Sequence, residues 1–121
     1  MYPPLFATLA ASTAVKALIG TSPVRCYPAG EAPQGVTAPY VTWQTIAGSP
    51  ENYLGNTANM DGFTAQVDVW ADSVTSARAV ASAVRTALEP VSYVVALRGE
   101  SRDPDTNRYR YSFDVDFLAS R

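Results

Sequence analysis

Three aspartates, Asp68, Asp114 and Asp116, are the residues whose types and spacing could support chemistry. They lie at alternating positions in two segments that have the pattern of strands, so they would share one outward sheet face if those strands were neighbours. Paired carboxylates can hold magnesium or act as general acid and base, and a metal-dependent hydrolase is therefore one hypothesis. Alternating aspartates also arise from solvation, edge protection and salt bridges to arginines, and we favour that interpretation.

The segment Asp103–Asn107 has the Asp-x-Asp-x-Asn opening of a calcium-binding loop, with Asp114 at the twelfth position. The rest of the pattern argues against calcium. Pro104 occupies the second position and Arg108 stands where the sharp turn requires glycine. Asp114 is also shorter than the usual bidentate glutamate, so we expect no metal site here.

The sequence has no histidine and a single cysteine, Cys26. Histidine is the commonest general base, and without an imidazole the Cys26 thiol has no partner to activate it. The sequence also lacks the Gly-x-Ser-x-Gly nucleophile motif and the phosphate-binding Gly-x-x-x-x-Gly-Lys-Ser/Thr loop. We interpret Cys26 as a small, partly buried residue, and we predict neither an enzyme nor a bound cofactor.

The chain has 121 residues and a formal net charge of −2, with 9 Lys and Arg against 11 Asp and Glu. Specific nucleic-acid binding is not expected, because it requires clustered basic residues. A lone cysteine cannot form an intramolecular disulfide. The N-terminus lacks the pattern of a signal peptide, and no apolar run approaches the roughly 20 residues of a membrane span. We therefore expect a soluble protein without an export signal or membrane contact, folded as one domain over residues 1–121.

The three aspartates lie in two predicted strands, and a predicted helix lies between these strands in the sequence. The segment Phe63–Asp72 alternates, with apolar residues on one face and Asp68 and Trp70 on the other. The segment Arg108–Leu118 alternates in the same way. Its outward positions are Arg108, Arg110, Ser112, Asp114 and Asp116. Between the strands, apolar residues from Ala77 to Leu88 recur at helical spacing, which predicts a helix lying on the core. Its candidate N-caps are Asp72, Ser73 and Thr75, and Pro90 ends it.

The first twenty residues predict a broken helix. A first helix could begin at Pro3 and Pro4 and continue to Ala11, but its apolar face is lost after Leu9. A second short helix, Ala14–Ile19, follows. Ser12 or Thr13 caps this second helix, and Gly20 stops it.

The remaining strands and loops complete an α+β fold. The predicted strands are Val24–Tyr27, Tyr40–Ala47 and Tyr93–Arg98, and the predicted loops are Pro28–Pro39, Gly48–Gly62 and Gly99–Asn107. We expect a mixed or antiparallel sheet of about five strands, with the broken N-terminal helix and the longer central helix packed on one face.

Trp70 and the loop Gly48–Gly62 are candidate contact residues. An indole on the polar side of a strand either contacts a partner or is covered by this chain's own loop, and both readings stay open. Tyr53 and Leu54, within that loop, pose the same question, and we favour contact with a neighbour.

Several segments, taken in order and spacing, carry a resemblance to a known family. They are Ser49–Leu54, Phe63–Trp70, Ser76–Ala81, Glu100–Asp103 and Tyr109–Val115, together with the Pro3-Pro4 start and the loop Gly30–Gly35. They resemble the phage tail completion proteins, also called tail terminators, of long-tailed phages and prophages. The resemblance spans nearly the whole chain.

The resemblance implies a small α+β domain that forms a hexameric ring on the head-proximal end of the virion tail tube. Such a ring assembles in the host cytoplasm, stops tube growth and offers a surface to the head–tail connector protein, without catalysing a reaction. The long loop matched by Gly48–Gly62 is implied to order against a neighbouring subunit or the tail tube protein. Alternatives are another connector or tail component, such as a tube subunit, and the metal-dependent hydrolase.

A cyclic assembly also agrees with the charge pattern. A head-to-tail interface closes into a ring when its rotation divides the circle. Arg108 and Arg110 on one mating surface could meet Asp114 and Asp116 on the other and set the register between subunits.

Overall fold

The computed structural model describes residues 5–21, 24–33, 35–51, 60–104 and 107–120. The helices in these ranges are α1 (Leu5–Ala10), α2 (Thr13–Ile19) and α3 (Val74–Leu88), and the strands are β1 (Cys26–Pro28), β2 (Tyr40–Glu51), β3 (Met60–Ala71), β4 (Ser92–Arg102) and β5 (Tyr109–Ser120). The five strands form one sheet in the order β1-β2-β3-β5-β4. β1 is parallel to β2 and the other pairs are antiparallel, so the predicted α+β fold with a mixed sheet is confirmed.

The core lies between one face of the sheet and all three helices. It is built from the alternate positions of β3 and β5 and from the apolar stripe of α3, as the periodicity predicts. The sheet contributes Ala65, Val67, Val69, Phe113, Val115 and Phe117, and α3 contributes Val80, Ala81, Val84 and Leu88. The two short helices add Leu5, Leu9, Val15 and Ile19, each with no exposed surface. In the parts of the chain that the structure describes, no helix is long and apolar enough to span a membrane.

The helix boundaries follow the predicted capping residues. Ser12 caps α2 by accepting a hydrogen bond from the Val15 N–H at 3.3 Å. Gly20, at φ +95°, ends α2 and donates its N–H to the Lys16 carbonyl. Of the three candidate caps of α3, Ser73 is the one used, and its hydroxyl accepts from the Ser76 N–H at 3.1 Å.

Replacing Ser73 with alanine tests this cap. We expect Ser73→Ala to lower the free energy of unfolding by about 1 kcal/mol, because it leaves one N–H of the first helical turn without its side-chain acceptor. The measurement is urea unfolding followed by circular dichroism. Ser82→Ala, an exposed change inside the same helix, is the matched control and is expected to be neutral or slightly stabilising. Equal stabilities of the two variants would show that the cap contributes nothing.

Two of the predicted loops are too long, because the flanking strands continue into them. The ladder between β2 and β3 continues from Gly48, opposite Phe63, to Glu51, opposite Met60, so much of Gly48–Gly62 is strand. Pro50 is tolerated there because this part of β2 has β3 on one side only, and its missing N–H interrupts no second ladder. Residues 52–59, which include the predicted contact residues Tyr53 and Leu54, lie outside the described residues.

The predicted loop Gly99–Asn107 is also too long, because β4 continues to Arg102 rather than ending at Arg98. The register against β5 shifts twice, between Val94 and Ala96 and between Leu97 and Gly99. Gly99 has φ +104°, which suits a bulge that a side chain would strain. Bulges allow the strand to continue through a residue that sequence patterns treat as a turn signal.

An ion pair joins α3 to β4. Arg78 donates from Nε and Nη2 to the two carboxylate oxygens of Glu100, at 2.7 and 3.0 Å. This hydrogen bonding lowers the pKa of Glu100 and raises the pKa of Arg78. Because the pKa of Glu100 is lowered, the contribution of the pair to stability is present at neutral pH and is lost as the pH falls through that pKa.

Candidate interface on the polar face of the sheet

The sheet face opposite the helices carries a continuous set of polar and aromatic side chains, here called the polar face. Cross-strand pairing places Tyr40, Trp70 and Arg110 in one row and Thr42, Asp68 and Ser112 in the next. Among the described residues, the strand register and the Arg98–Asp114 pair place the following side chains here: Tyr40, Thr42, Gln44, Thr64, Gln66, Asp68, Trp70, Tyr93, Arg98, Arg110, Ser112, Asp114 and Asp116. None of the described helices lies on this face, since α1, α2 and α3 all pack on the core face.

Asp68 is at the centre of the polar face and is satisfied within the chain. Arg110 Nη2 donates to its two oxygens at 3.1 and 3.2 Å, and Gln66 Nε2 lies 3.2 and 3.3 Å from the same atoms. The Asp68 side chain is only 13% exposed, so the long arginine and glutamine side chains cover it. A carboxylate this buried requires charged or amide donors to replace its lost hydration.

Asp114 and Asp116 are held by different partners. Arg98 approaches Asp114 as a fork, with Nε 2.8 Å from Oδ1 and Nη2 2.8 Å from Oδ2. The Asp114 carboxylate raises the pKa of Arg98, chiefly through this hydrogen bond. Asp116 accepts a hydrogen bond from Thr64 Oγ1 at 2.6 Å. Each aspartate of the polar face is therefore occupied by a neighbour from an adjacent strand.

Trp70 is held from three sides. Its Nε1–H donates to Thr42 Oγ1 at 2.9 Å, and its ring stacks on Tyr40 with centroids 6.2 Å apart and an interplanar angle of 11°. The Arg110 guanidinium lies 5.5 Å from the centroid of the indole ring. Cation–π and stacking contacts of this kind fix the orientation of an aromatic side chain that no layer covers.

Arg108 continues this aromatic row at its outer end. Its guanidinium lies 5.3 Å from the Tyr40 ring centroid, and its Nη2 donates to the Val36 carbonyl at 2.8 Å. Asp72 is 3.9 Å away and 80% exposed, so that ion pair contributes little. Arg108 therefore links the loop that precedes β2 to the start of β5.

The carboxylates that a metal-dependent hydrolase would need lie in successive rows of the polar face, and none of them is directly opposite another. Asp68 lies opposite Ser112, whereas Asp114 lies opposite Gln66 and Asp116 opposite Thr64. The three side chains share one face, as predicted, but each engages its own donor. In the described ranges, no cluster of three or more acidic, histidine or cysteine side chains could hold a metal ion.

The fold also places the first and twelfth residues of the calcium-like pattern, Asp103 and Asp114, at different points of the β4–β5 hairpin. Asp103 follows the end of β4, where Arg102 pairs with Tyr109, whereas Asp114 lies farther along β5 opposite Ala96. The strand geometry therefore places Asp114 away from the loop and against Arg98.

Cys26 lies in β1 and is 3% exposed, which places it in the core. Burial raises the pKa of its thiol to about 12, because the thiolate would lose hydration. A thiol in this environment is a poor nucleophile. Its position fits the prediction of a small packed residue and is more buried than expected.

The Cys26 pKa leads to a testable pH dependence. The folded thiol stays protonated while the unfolded thiol ionises above about pH 9, so this contribution to stability is complete below pH 9 and is lost as the pH rises towards 12. We expect the free energy of urea unfolding to fall more steeply from pH 8 to pH 10 than it does in Cys26→Ala, which controls for lysine and tyrosine titration. Parallel pH profiles of the two proteins would contradict the assignment.

Two buried polar atoms at the centre of the polar face have no hydrogen-bond partner among the described residues. They are Arg110 Nε and Ser112 Oγ. Buried polar groups are nearly always hydrogen-bonded, so these two atoms are exceptions within the face. Trp70, Arg110, Asp114 and Asp116, predicted as contact residues, are brought together here, with Arg108 at the margin.

Sequence reasoning missed Arg98, Tyr40 and Gln66 as members of this face. Tyr40 and Gln66 could have been placed by alternation along β2 and β3. Arg98 could not, because the bulges of β4 change which face a given residue occupies.

Comparison with known proteins adds an independent finding. The family model of the tail completion protein gp17 matches residues 3–120. The fold is similar to a chain in the virion of a native gene transfer agent particle, with a TM-score of 0.70, 20% identity and coverage of 97% of this chain and 92% of that one. It is also similar to the gp17 protein of bacteriophage SPP1, with a TM-score of 0.58, 15% identity and coverage of 97% and 86%. No curated protein sequence matches the chain.

Proposed function

The chain belongs to the tail completion protein gp17 family and has a structural role in a phage tail, and from this premise we propose that it is the terminator of the tail tube. In this proposal a single domain of residues 1–121 assembles into a hexameric ring on the head-proximal end of the tube. The ring stops tube polymerisation and presents a surface to the head–tail connector protein. It assembles in the host cytoplasm and catalyses no reaction.

The observation that carries the proposal is the polar face. It is fixed by hydrogen bonds and stacking, and none of the described helices covers it. Interface centres are enriched in tryptophan, tyrosine and arginine, and Trp70, Tyr40 and Arg110 form one row of this face. A rigid surface of this kind loses little conformational entropy when a partner binds.

We assign the polar face to contact with the tail tube protein or the connector. Trp70 and Arg110 contribute its aromatic row, Asp114 and Asp116 extend it along β5, and Arg108 lies at its margin. Tyr53 and Leu54 follow the end of the β2–β3 ladder in the sequence and are proposed to contact the same partner or a neighbouring subunit.

Pairing of Arg108 and Arg110 with Asp114 and Asp116 of another subunit stays a prediction. Arg110 already binds Asp68 of its own chain, and Asp114 already binds Arg98. An exchange between subunits would first have to break these pairs, so the geometry favours their role as the internal support of the surface.

Two alternative functions, a tube subunit and a metal-dependent hydrolase, predict different experimental results. A tube subunit must stack without limit, so the pure protein would form long open tubes. A metal-dependent hydrolase would bind magnesium or manganese in calorimetry. It would also lose that binding on Asp68→Asn. The structure does not favour such binding, because each carboxylate is already engaged by its own donor.

The experiment is electron microscopy of particles from a lysate in which the gene is disrupted and then supplied in trans. Disruption is expected to give overlong tails of irregular length that are not attached to filled heads, and the intact gene restores normal tails. Trp70→Ala is expected to restore poorly, whereas Phe6→Ala, an exposed aromatic residue on α1, restores fully. Tails of normal length and normal attachment after disruption would exclude the terminator role.

A further inference from the structure

We propose that a second copy of this chain binds edge to edge, with the open half of β2 lying beside β4 of its neighbour so that their sheets continue into one another. This inference rests on the proposed ring and identifies the surfaces that build it. These surfaces are the two lateral edges of the sheet. Tyr93, which pairs with Asp116, lies where the β4 edge meets the polar face.

Both edges of the sheet have unpaired backbone in the described ranges. β4 pairs only with β5, over its full length Ser92–Arg102. At the other side, β1 covers β2 only from Val41 to Trp43, so residues 44–51 pair with β3 alone. Unpaired N–H and C=O groups along a strand are a template for another strand.

Exposed apolar side chains concentrate at these two edges. Tyr93 and Leu97 on β4 are 77% and 59% exposed, Val91 just before β4 is 46% exposed, and Ile46 in the open half of β2 is 42% exposed. Natural edge strands are usually protected by lysine, proline or inward-pointing charges. The stretch Ser92–Leu97 contains no charged residue and no proline, so its protection is limited to the bulge between Val94 and Ala96.

The two apolar edge segments lie at the same level of the sheet. Val94 pairs with Val115, which pairs with Ala65, which in turn pairs with Thr45. The Tyr93 region of β4 and the Ile46 region of β2 are therefore at opposite ends of one row. A neighbour rotated about an axis roughly parallel to the strands would bring these two regions side by side.

The strand directions also match. β4 is antiparallel to β5, β5 to β3, and β3 to β2, so β4 and β2 of one chain run in opposite directions. Rotation about an axis along the strands preserves direction, and β2 of the next copy would therefore meet β4 in an antiparallel arrangement. This contact is head-to-tail, which is the kind that closes into a ring.

Features on both strands limit the contact to a short segment. β4 has bulges beside Val94 and Leu97, and beyond them come the charged residues Arg98, Glu100 and Arg102. Pro50 interrupts donation from the edge of β2. The proposed contact is therefore short. It joins the apolar stretch Tyr93–Leu97, which contains the bulge at Val94–Ala96, to the Ile46 region, where β2 has its own bulge between Thr45 and Ala47.

Disulfide trapping in assembled tails tests the contact. The double variant Ile46→Cys with Tyr93→Cys, in a Cys26→Ala background, is supplied to the disrupted phage, and restored particles are oxidised. Non-reducing gels are expected to show a ladder of covalent oligomers of this chain. Each single-cysteine variant should remain monomeric, because position 46 meets position 93 and not itself. Phe6→Cys with Leu18→Cys, at the two exposed apolar residues of α1 and α2, is the matched control and should give no ladder.

A charge variant provides the second readout. Tyr93→Lys should fold normally, because that side chain is 77% exposed, and should weaken each subunit contact at least about tenfold by native mass or sedimentation. Phe6→Lys should leave association unchanged. Normal tails bearing rings that give no ladder would overturn the edge contact and leave the terminator role standing. Cross-linking to a different tail protein would also overturn it, and normal tails after gene disruption would overturn both proposals.

Discussion

Phe113→Ala is expected to lower the free energy of unfolding by about 3–5 kcal/mol, the largest effect of any single change considered for this chain. Phe113 is 1% exposed and lies on β5 between the β3 and β4 ladders, within the core cluster that α3 covers. Its ring also makes an edge-on contact with Tyr111, with centroids 6.3 Å apart. Truncation removes the apolar transfer energy and leaves a cavity that strands paired on both sides cannot close.

The measurement for Phe113→Ala is thermal or urea unfolding of the purified chain. A loss of this size corresponds to a fall in Tm of more than about 10 °C for a domain of this length. Tyr93→Ala is the matched control, because it removes an aromatic ring from the adjacent strand at a position that is 77% exposed, and it should change stability by less than about 0.5 kcal/mol. Similar losses in both variants would mean that the core is not where the structure places it.

Asp68→Ala is expected to lower the free energy of unfolding by about 2 kcal/mol. Among the described residues, the change removes the carboxylate that accepts hydrogen bonds from Arg110. It leaves a guanidinium that is 35% exposed and whose Nε is already unpartnered. An uncompensated, largely covered charge is costly, whereas loss of a solvated ion pair is not. Gln66 loses the same acceptor.

Asp72→Ala is the matched control for Asp68→Ala. Asp72 is 80% exposed and 3.9 Å from Arg108, so its removal should change stability by less than about 0.5 kcal/mol. Asp68→Asn should fall between the two, because an amide oxygen still accepts a hydrogen bond without the charge. Unchanged stability of Asp68→Ala in urea titrations would show that water replaces the carboxylate and that the polar face is less rigid than proposed.

The fold was most predictable where one face of an element is buried. Alternation along β3 and β5 placed Val67, Val69, Phe113 and Val115 correctly, because a slip of one residue would turn the whole apolar set to solvent. The apolar stripe of α3 was predictable for the same reason. The ends of the strands were not, because whether Gly48 or Gly99 continues a ladder depends on a partner strand distant in sequence.

The candidate interface was predictable in part. Trp70, Arg110 and Asp114 could be assigned to one outward face from their spacing alone. Which side chains would satisfy them could not, because cross-strand partners are set by register between segments far apart in the chain. The pairing of Arg98 with Asp114 also depends on a bulge in β4 that the local sequence does not indicate.

The position of β5 has a consequence for synthesis on the ribosome. Of the five described strands, β5 is translated last, yet it lies inside the sheet between β3 and β4. Until it emerges, β3 has an open edge and the core lacks Phe113, Val115 and Phe117. A nascent or prematurely terminated chain therefore cannot complete its sheet, and such incomplete species rely on chaperones or are degraded. Only chains translated through β5 can become competent for assembly, so the topology itself keeps truncated products out of the particle.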